Sequence, residues 1–112
     1  MAVLIFLYLR MKKPGENINQ ISTNELKPLL GDTSKQFIDV RTPGEFKHNH
    51  IAQFKNMPLQ SLQQNAHTLS KDKETIVICQ SGMRSANACK VLNQQGFTSV
   101  TNGKGGMNSW SN

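Results

Sequence analysis

Apolar residues along this 112-residue chain switch between two spacings, and the switches mark out alternating strands and helices. Residues 18–21 read as a short strand. Ser22 with Glu25 three positions on forms a capping box, so a helix is predicted from Thr23, with Leu26, Leu29 and Leu30 on its apolar face. Pro28 falls inside that helix and removes one backbone bond, which makes it short or bent, and Gly31 ends it. Residues 36–40 are nearly all apolar until Asp39, the pattern of a strand buried on both faces of a parallel sheet. Thr42 caps a brief helix over 43–47, with Pro43 at its first position and Glu45 placed to complete the box. Asn56-Met57-Pro58 is a very short extended segment, and Leu59, Leu62, Ala66 and Leu69 then recur at helical spacing. After a solvated turn at 71–74, residues 75–78 form a strand and 85–95 a helix closed by Gly96. Residues 97–100 are the last strand candidate, Asn102-Gly103 reads as a turn, and Gly105-Gly106-Met107 leads to a short helical end with Trp110.

Strands alternating with helices specify an α/β domain with a central, mainly parallel sheet flanked by helices. In such folds functional loops gather at the carboxyl ends of the strands. The loop after residue 78 and the loop at 41–45 both hold that position, so they are expected to be neighbours in space. No internal repeat is visible, and one domain is expected over 18–112.

Charge changes the picture little. The chain carries a formal +6, and three of those charges sit on Arg10, Lys12 and Lys13. With one Tyr, one Trp and no long basic run in the domain, nucleic-acid binding has no support, while a modest positive bias helps attract small anions. Two cysteines do not make a disulfide framework and fit a reducing compartment. Residues 1–13 form an apolar and basic leader, and 14–17 a linker. The apolar run is far shorter than the roughly 20 residues that span a bilayer, and its charges follow it, unlike those of a secretory signal. Three readings stay open: the tail of a truncated membrane anchor, an interfacial anchor backed by basic residues, or a segment packed on the domain or disordered. If it is an anchor, the charges place the domain on the cytoplasmic side, so the expected location is cytoplasmic, with a tether at the cytoplasmic face left open.

The chemistry gathers in Cys79-Gln80-Ser81-Gly82-Met83-Arg84-Ser85, where a strand stops and a helix begins. Unpaired N–H groups and partial positive charge at a helix start suit an anion, and a thiolate is one. Gly82 lets the loop curl, and Arg84 adds a fixed charge with several donors. These features lower a cysteine pKa, and they mark Cys79 as a nucleophile kept negative and accessible, against the plainer reading of a small buried hydrophobe. Cys89 shares a helical face with Ala86 and Leu92 and reads as core. His48 and His50 have a spacing that could suit a metal, but without a third ligand cluster they read as helix-end or surface residues, and no metal or organic cofactor is expected. Gly103-Lys104-Gly105-Gly106 lacks the spacing and the Ser/Thr of a phosphate-binding loop and reads as close backbone packing.

Taken together, these residues resemble a single-domain rhodanese from about Ile18 to Trp110. Asp39-Val40-Arg41-Thr42-Pro43-Gly44-Glu45-Phe46 is similar to the family's D-V-R-x-x-x-E-[FY] segment, and His50-Ile51 with Asn56-Met57-Pro58 to its continuation. The Cys79 loop matches C-x-S-G-x-R-S, and Gly105-Gly106 with Trp110 matches the closing G-G-x-x-x-W. The chain departs from the pattern at Gln53-Phe54, where the family carries Gly-Ala, and at Pro28. The resemblance implies a rhodanese-like three-layer fold, with Cys79 catalytic and its loop (Gln80, Ser81, Gly82, Met83, Arg84 and Ser85) substrate-binding. It casts Asp39, Arg41 and Glu45 as an ion-pair and hydrogen-bond set that braces the loop.

The implied activity moves sulfane sulfur from a small anionic donor such as thiosulfate, through a Cys79 persulfide, to a thiol or protein acceptor, with the protein expected as a monomer. Two rivals remain. One is a persulfide carrier or docking module without significant turnover. The other is a cysteine–arginine phosphatase or arsenate reductase, whose loops place five residues between Cys and Arg where this chain has only Gln80, Ser81, Gly82 and Met83.

Overall fold

A computed structural model of the chain describes residues 18–111, so the readings made for the leader and linker lie outside the described residues. Five strands form one sheet: β1 (Ile18–Ser22), β2 (Lys35–Asp39), β3 (Lys55–Asn56), β4 (Glu74–Ile78) and β5 (Val100–Lys104). Their order is β1-β5-β4-β2-β3, and every neighbouring pair is parallel. The helices are α1 (Thr23–Leu26), α2 (Pro43–His48), α3 (Leu59–Asn65), α4 (Met83–Gln94) and α5 (Gly106–Ser109). Among the described residues no helix is long and apolar enough to cross a membrane.

The apolar run of the central strands buries both faces. On β2 Phe37 joins one cluster and Ile38 the other; on β4 Ile76 and Ile78 face one way, Val77 and then Cys79 the other. The Ile38 side packs against Leu62 of α3 and Ala88, Cys89 and Leu92 of α4. The Phe37 side packs against Leu26 of α1 and Met107 of α5. Three layers result, as the strand–helix alternation predicts. Leu62 and Leu92 are fully buried, and burial of such a side chain contributes about 1.5–3 kcal/mol.

Both predicted capping boxes form, Ser22 with Glu25 and Thr42 with Glu45. Pro28 acts as expected: α1 stops at Leu26 and passes into a 3₁₀ turn over Lys27–Leu29. Gly96, at φ +98°, closes α4; its N–H reaches Asn93 O and that of Phe97 reaches Leu92 O, the two bonds of a Schellman cap.

That cap corrects one expectation. Phe97 belongs to the helix stop, so the last strand is Val100–Lys104 and not 97–100. Asn102-Gly103 is correspondingly no turn. Both residues lie inside β5, where Asn102 pairs with Gln20 of β1 and Val77 of β4. A buried Asn is tolerated there because its side chain is fully engaged, by Gln20, Gly82 and Ser85. At Gln53-Phe54 the turn still forms, with Phe54 N–H on Ile51 O at 2.9 Å, and the Phe54 ring packs 5.3 Å from that of Phe37.

Candidate active site

The loop after β4 is shaped by glycines on both sides of it. Gly82 caps α4 at φ +102°, a conformation that disfavours any residue with a Cβ. That turn brings the Gly82 N–H to 3.0 Å from Cys79 Sγ. The loop rests on the start of α5: Met107 N–H donates to Cys79 O at 2.8 Å and Asn108 N–H to Gln80 O at 2.9 Å. A Cβ on Gly106 would come within 2.7 Å of the Gln80 backbone and closer still to the Cys79 carbonyl. The Gly105-Gly106 segment is therefore close backbone packing, as its residues predicted.

Burial pushes the Cys79 thiol up, but the Ser85 side chain and the amides of Ser85, Gly82 and Ser81 pull it down further, so its net pKa lies below that of an ordinary cysteine. The expectation of an accessible sulfur is not met: Cys79 is 0% exposed. It sits at the top of the cluster formed by Ile38, Val40 and Met57, and the loop folds over it. A reagent therefore reaches it only when side chains at the loop give way. Cys89 is also buried, and burial followed by the charge of Cys79 pushes its thiol up to about 12, which leaves it a core residue.

The two strand-end loops meet, as the fold predicts. Val40 N–H donates to Ile78 O at 3.0 Å, so the exits of β2 and β4 lie side by side. Across them Arg84 reaches Glu45 with both ends of its fork, Nη1 to Oε1 at 2.7 Å and Nη2 to Oε2 at 2.9 Å. The same Glu45 oxygen closes the α2 box through the Thr42 N–H and hydroxyl. Arg84 beside it holds the Glu45 carboxyl down at about 2.

The three bracing residues thus divide. Asp39 and Arg41 form their own pair, and Glu45 belongs to Arg84, touching Arg41 only through its main-chain oxygen at 3.4 Å. Arg41 spends all its donors internally: Nε and Nη2 on the Asp39 carboxylate, Nη2 also on Asn49 O, and Nη1 on Glu45 O and Gln80 Oε1. At 2% exposure it has no donor left for a ligand.

The remaining loop residues take different places. Gln80 is clamped between Arg41 and Asn108, its Nε2 donating to Asn108 Oδ1 at 2.6 Å. Met83 is 77% exposed, and Ser81 is also exposed. Ser85 is buried, its hydroxyl 3.3 Å from Cys79 Sγ. His50 stands at the α2 end with Nδ1 2.9 Å from Phe46 O and its ring stacked on that of Phe46, a helix-end role. A groove of about 380 Å³ opens beside the loop, apolar along Val40, Pro43, Pro58 and Leu59, with Arg84 at its edge.

Sequence reasoning missed three supporting residues. Asn56 Nδ2 ties the carbonyls of Asp39 and Arg41 at 3.0 and 2.9 Å. Asn108 holds Gln80, and Asn102 contacts both Gly82 and Ser85. For Asn102 the sequence carried no signal of this role, and the following Gly led to the turn reading.

The rhodanese-like domain family profile matches residues 22–112. The "Putative sulfurtransferase YtwF" of Bacillus subtilis (strain 168) is 43% identical over 94 residues, covering 83% of this chain and 90% of that protein. A protein named sulfurtransferase from Allochromatium vinosum is 33% identical, with 83% and 88% covered. Among solved structures, a rhodanese-like domain protein from Staphylococcus aureus superposes with a TM-score of 0.77 at 30% identity, covering 84% of this chain and 92% of that one.

Proposed function

Because this chain belongs to the rhodanese-like domain family, we propose that it is a sulfurtransferase working through a persulfide on Cys79. The observation that carries the reading is the Gly82 main-chain N–H turned onto the Cys79 sulfur at 3.0 Å, with the Ser85 and Ser81 amides adding to the pull on its pKa. The Cys79 thiolate attacks the outer sulfur of a donor such as thiosulfate. A sulfur–sulfur bond to Cys79 forms, the donor's own sulfur–sulfur bond breaks, and sulfite departs with the electron pair. The resulting persulfide anion takes over the same N–H donors, which are already oriented for negative charge. A thiophilic acceptor (cyanide in the test tube, a thiol or protein cysteine in the cell) then takes the outer sulfur, and the electron pair returns to Cys79. Each half balances without an added oxidant, and neither half calls for a metal or organic cofactor. Arg84 steers the anionic donor towards the loop and meets it by partly releasing Glu45.

The test is mass spectrometry after incubation with thiosulfate. The wild-type protein gains one sulfur atom and Cys79→Ser gains none. Absence of that gain on Cys79 sinks the assignment.

A second reading, a persulfide carrier with little turnover on small molecules, draws support from the complete burial of Cys79 and the closed Arg84–Glu45 fork. Comparing thiosulfate–cyanide turnover with sulfur handover to protein thiols separates the two. A phosphatase is disfavoured by the short Cys-to-Arg spacing and by the engagement of Arg84 with a carboxylate.

A further inference from the structure

One hydrogen atom beside the reactive sulfur has three acceptors in reach. Ser85 Oγ lies 3.3 Å from Cys79 Sγ, 3.2 Å from the Gly82 carbonyl and in short contact with Asn102 Oδ1. A hydroxyl donates only once. The Asn102 amide decides where. Its Nδ2 stands 3.2 Å from the Gly82 carbonyl, an atom that can only accept, and 3.1 Å from Gln20 Oε1. The atom turned to Ser85 is therefore the amide oxygen, which also only accepts. Two acceptors cannot stand in short contact without a hydrogen between them, so Ser85 donates to Asn102. Its lone pairs then face the sulfur, where they suit a thiol S–H and not a thiolate.

We propose that Asn102 is a positioning residue for the chemistry at Cys79: it draws the Ser85 hydroxyl hydrogen away from the sulfur while Cys79 is a thiol and yields it when the sulfur becomes an anion. On ionisation the S–H proton leaves to water, the Ser85 O–H swings onto Sγ, and Asn102 Oδ1 loses its donor. Ser85 and Asn102 are both buried, at 0% and 4% exposure, so water does not readily replace that bond. The anion thus gains a hydrogen bond only at the expense of another. The sulfur stays more basic than a freely donating Ser85 would leave it. Each anion is then the stronger nucleophile, because a thiolate's nucleophilicity rises with the pKa of its thiol. Asn102 enters from β5 and belongs to neither loop that meets at the site. The inference rests on Cys79 being the reacting sulfur.

The charged and titratable groups around that sulfur are Arg84 with its partner Glu45, Cys89 on α4, and the Asp39–Arg41 pair at the end of β2. None of them is changed by the variants below. The experiment follows alkylation of Cys79 by iodoacetamide across pH, in the full chain, read by peptide mass spectrometry. Asn102→Leu removes, at similar size, the acceptor in short contact and leaves only the Gly82 carbonyl at 3.2 Å to compete with the sulfur, so the pH of half-maximal rate moves down and the rate below it rises about three- to tenfold. Ser85→Ala moves that pH up. In the Ser85→Ala background Asn102→Leu leaves it where it is. If the leucine variant does not fold, Asn102→Asp decides: its carboxylate holds the hydroxyl harder, so the midpoint rises, and rises less once Ser85 is gone.

A purely structural Asn102 would move the midpoint in the same direction as Ser85→Ala, and that result overturns the proposal. So does a shift from Asn102→Leu or Asn102→Asp of equal size with and without Ser85. Alkylation needs no sulfur transfer. Failure of thiosulfate to load Cys79 therefore counts against the proposed reaction, and a wrong-signed midpoint against the role of Asn102.

Discussion

Replacing Asp39 with Asn removes one charge from the most buried ion pair described, and the structure sets the cost. Asp39 Oδ1 takes the Arg41 main-chain N–H at 3.0 Å and Nε at 3.1 Å, while Oδ2 takes Nη2 at 2.8 Å and Nε at 3.1 Å. Asparagine keeps one of these oxygens. Its amide group then sets N–H against N–H where Oδ2 stood. The guanidinium keeps its charge, since arginine does not give up its proton in a protein. A positive group at 2% exposure is left without its counter-charge. Breaking a buried pair from one side costs about 3–5 kcal/mol. For a domain of this size about 4 °C of melting temperature follows each kcal/mol, so Tm falls by about 12–20 °C. Urea unfolding followed by circular dichroism and by the single Trp measures this directly. The double variant Asp39→Leu with Arg41→Met removes both charges and should cost less than Asp39→Asn alone, because the penalty lies in the orphaned charge. A loss below about 1 kcal/mol for Asp39→Asn, or a double variant worse than the single one, would refute the reasoning.

Two further perturbations test the neighbouring parts. Glu45 has a folded pKa of about 2 against an ordinary 4.5, so its contribution is complete above the unfolded value and is lost as pH falls towards the folded one. Its side chain and that of Arg84 are 33% and 37% exposed, and solvent screening cuts the contribution to about 1 kcal/mol. Glu45→Gln should therefore lose that much less stability than wild type between about pH 5 and pH 2, and an unchanged acid slope would count against the pair. Gly106→Ala forces a Cβ into the Cys79 and Gln80 backbone at a residue with φ +58°, so it should lower both stability, by at least about 1–2 kcal/mol, and thiosulfate loading. Normal loading would mean that the loop does not depend on this contact.

Most of the fold was legible because it is local. Capping boxes at Ser22 and Thr42, the break at Pro28 and the stop at Gly96 are each decided within a few residues, and all four formed. The doubly buried strands announced themselves as apolar runs at β2 and β4. The error at 97–103 came from the same local rules. Phe97 looks like a strand residue and Asn-Gly like a turn, but Phe97 serves the helix cap and Asn102 is held in β5 by β1, Gly82 and Ser85. Its partner Gln20 lies 82 residues away in sequence, and no short window contains that information.

The site follows the same division, with one consequence for how it works. The loop alone announced a sulfur facing main-chain amides, and the structure turns the Gly82 N–H onto it. The loop could not announce that Glu45, whose Oε1 already closes the α2 box, would take both ends of the Arg84 fork. That one carboxylate joins the D-V-R-T-P-G-E-F segment to the C-Q-S-G-M-R-S loop, so the start of α2 and the start of α4 are tied through a charge as well as through β2–β4 pairing. In the reaction we propose, an anionic donor would find the guanidinium already paired and would compete with a carboxylate attached to the frame. Competition of this kind favours donors that bring more than charge. An apolar portion suited to the groove along Val40, Pro43, Pro58 and Leu59 is one such addition, because its burial contributes free energy that the carboxylate does not contest.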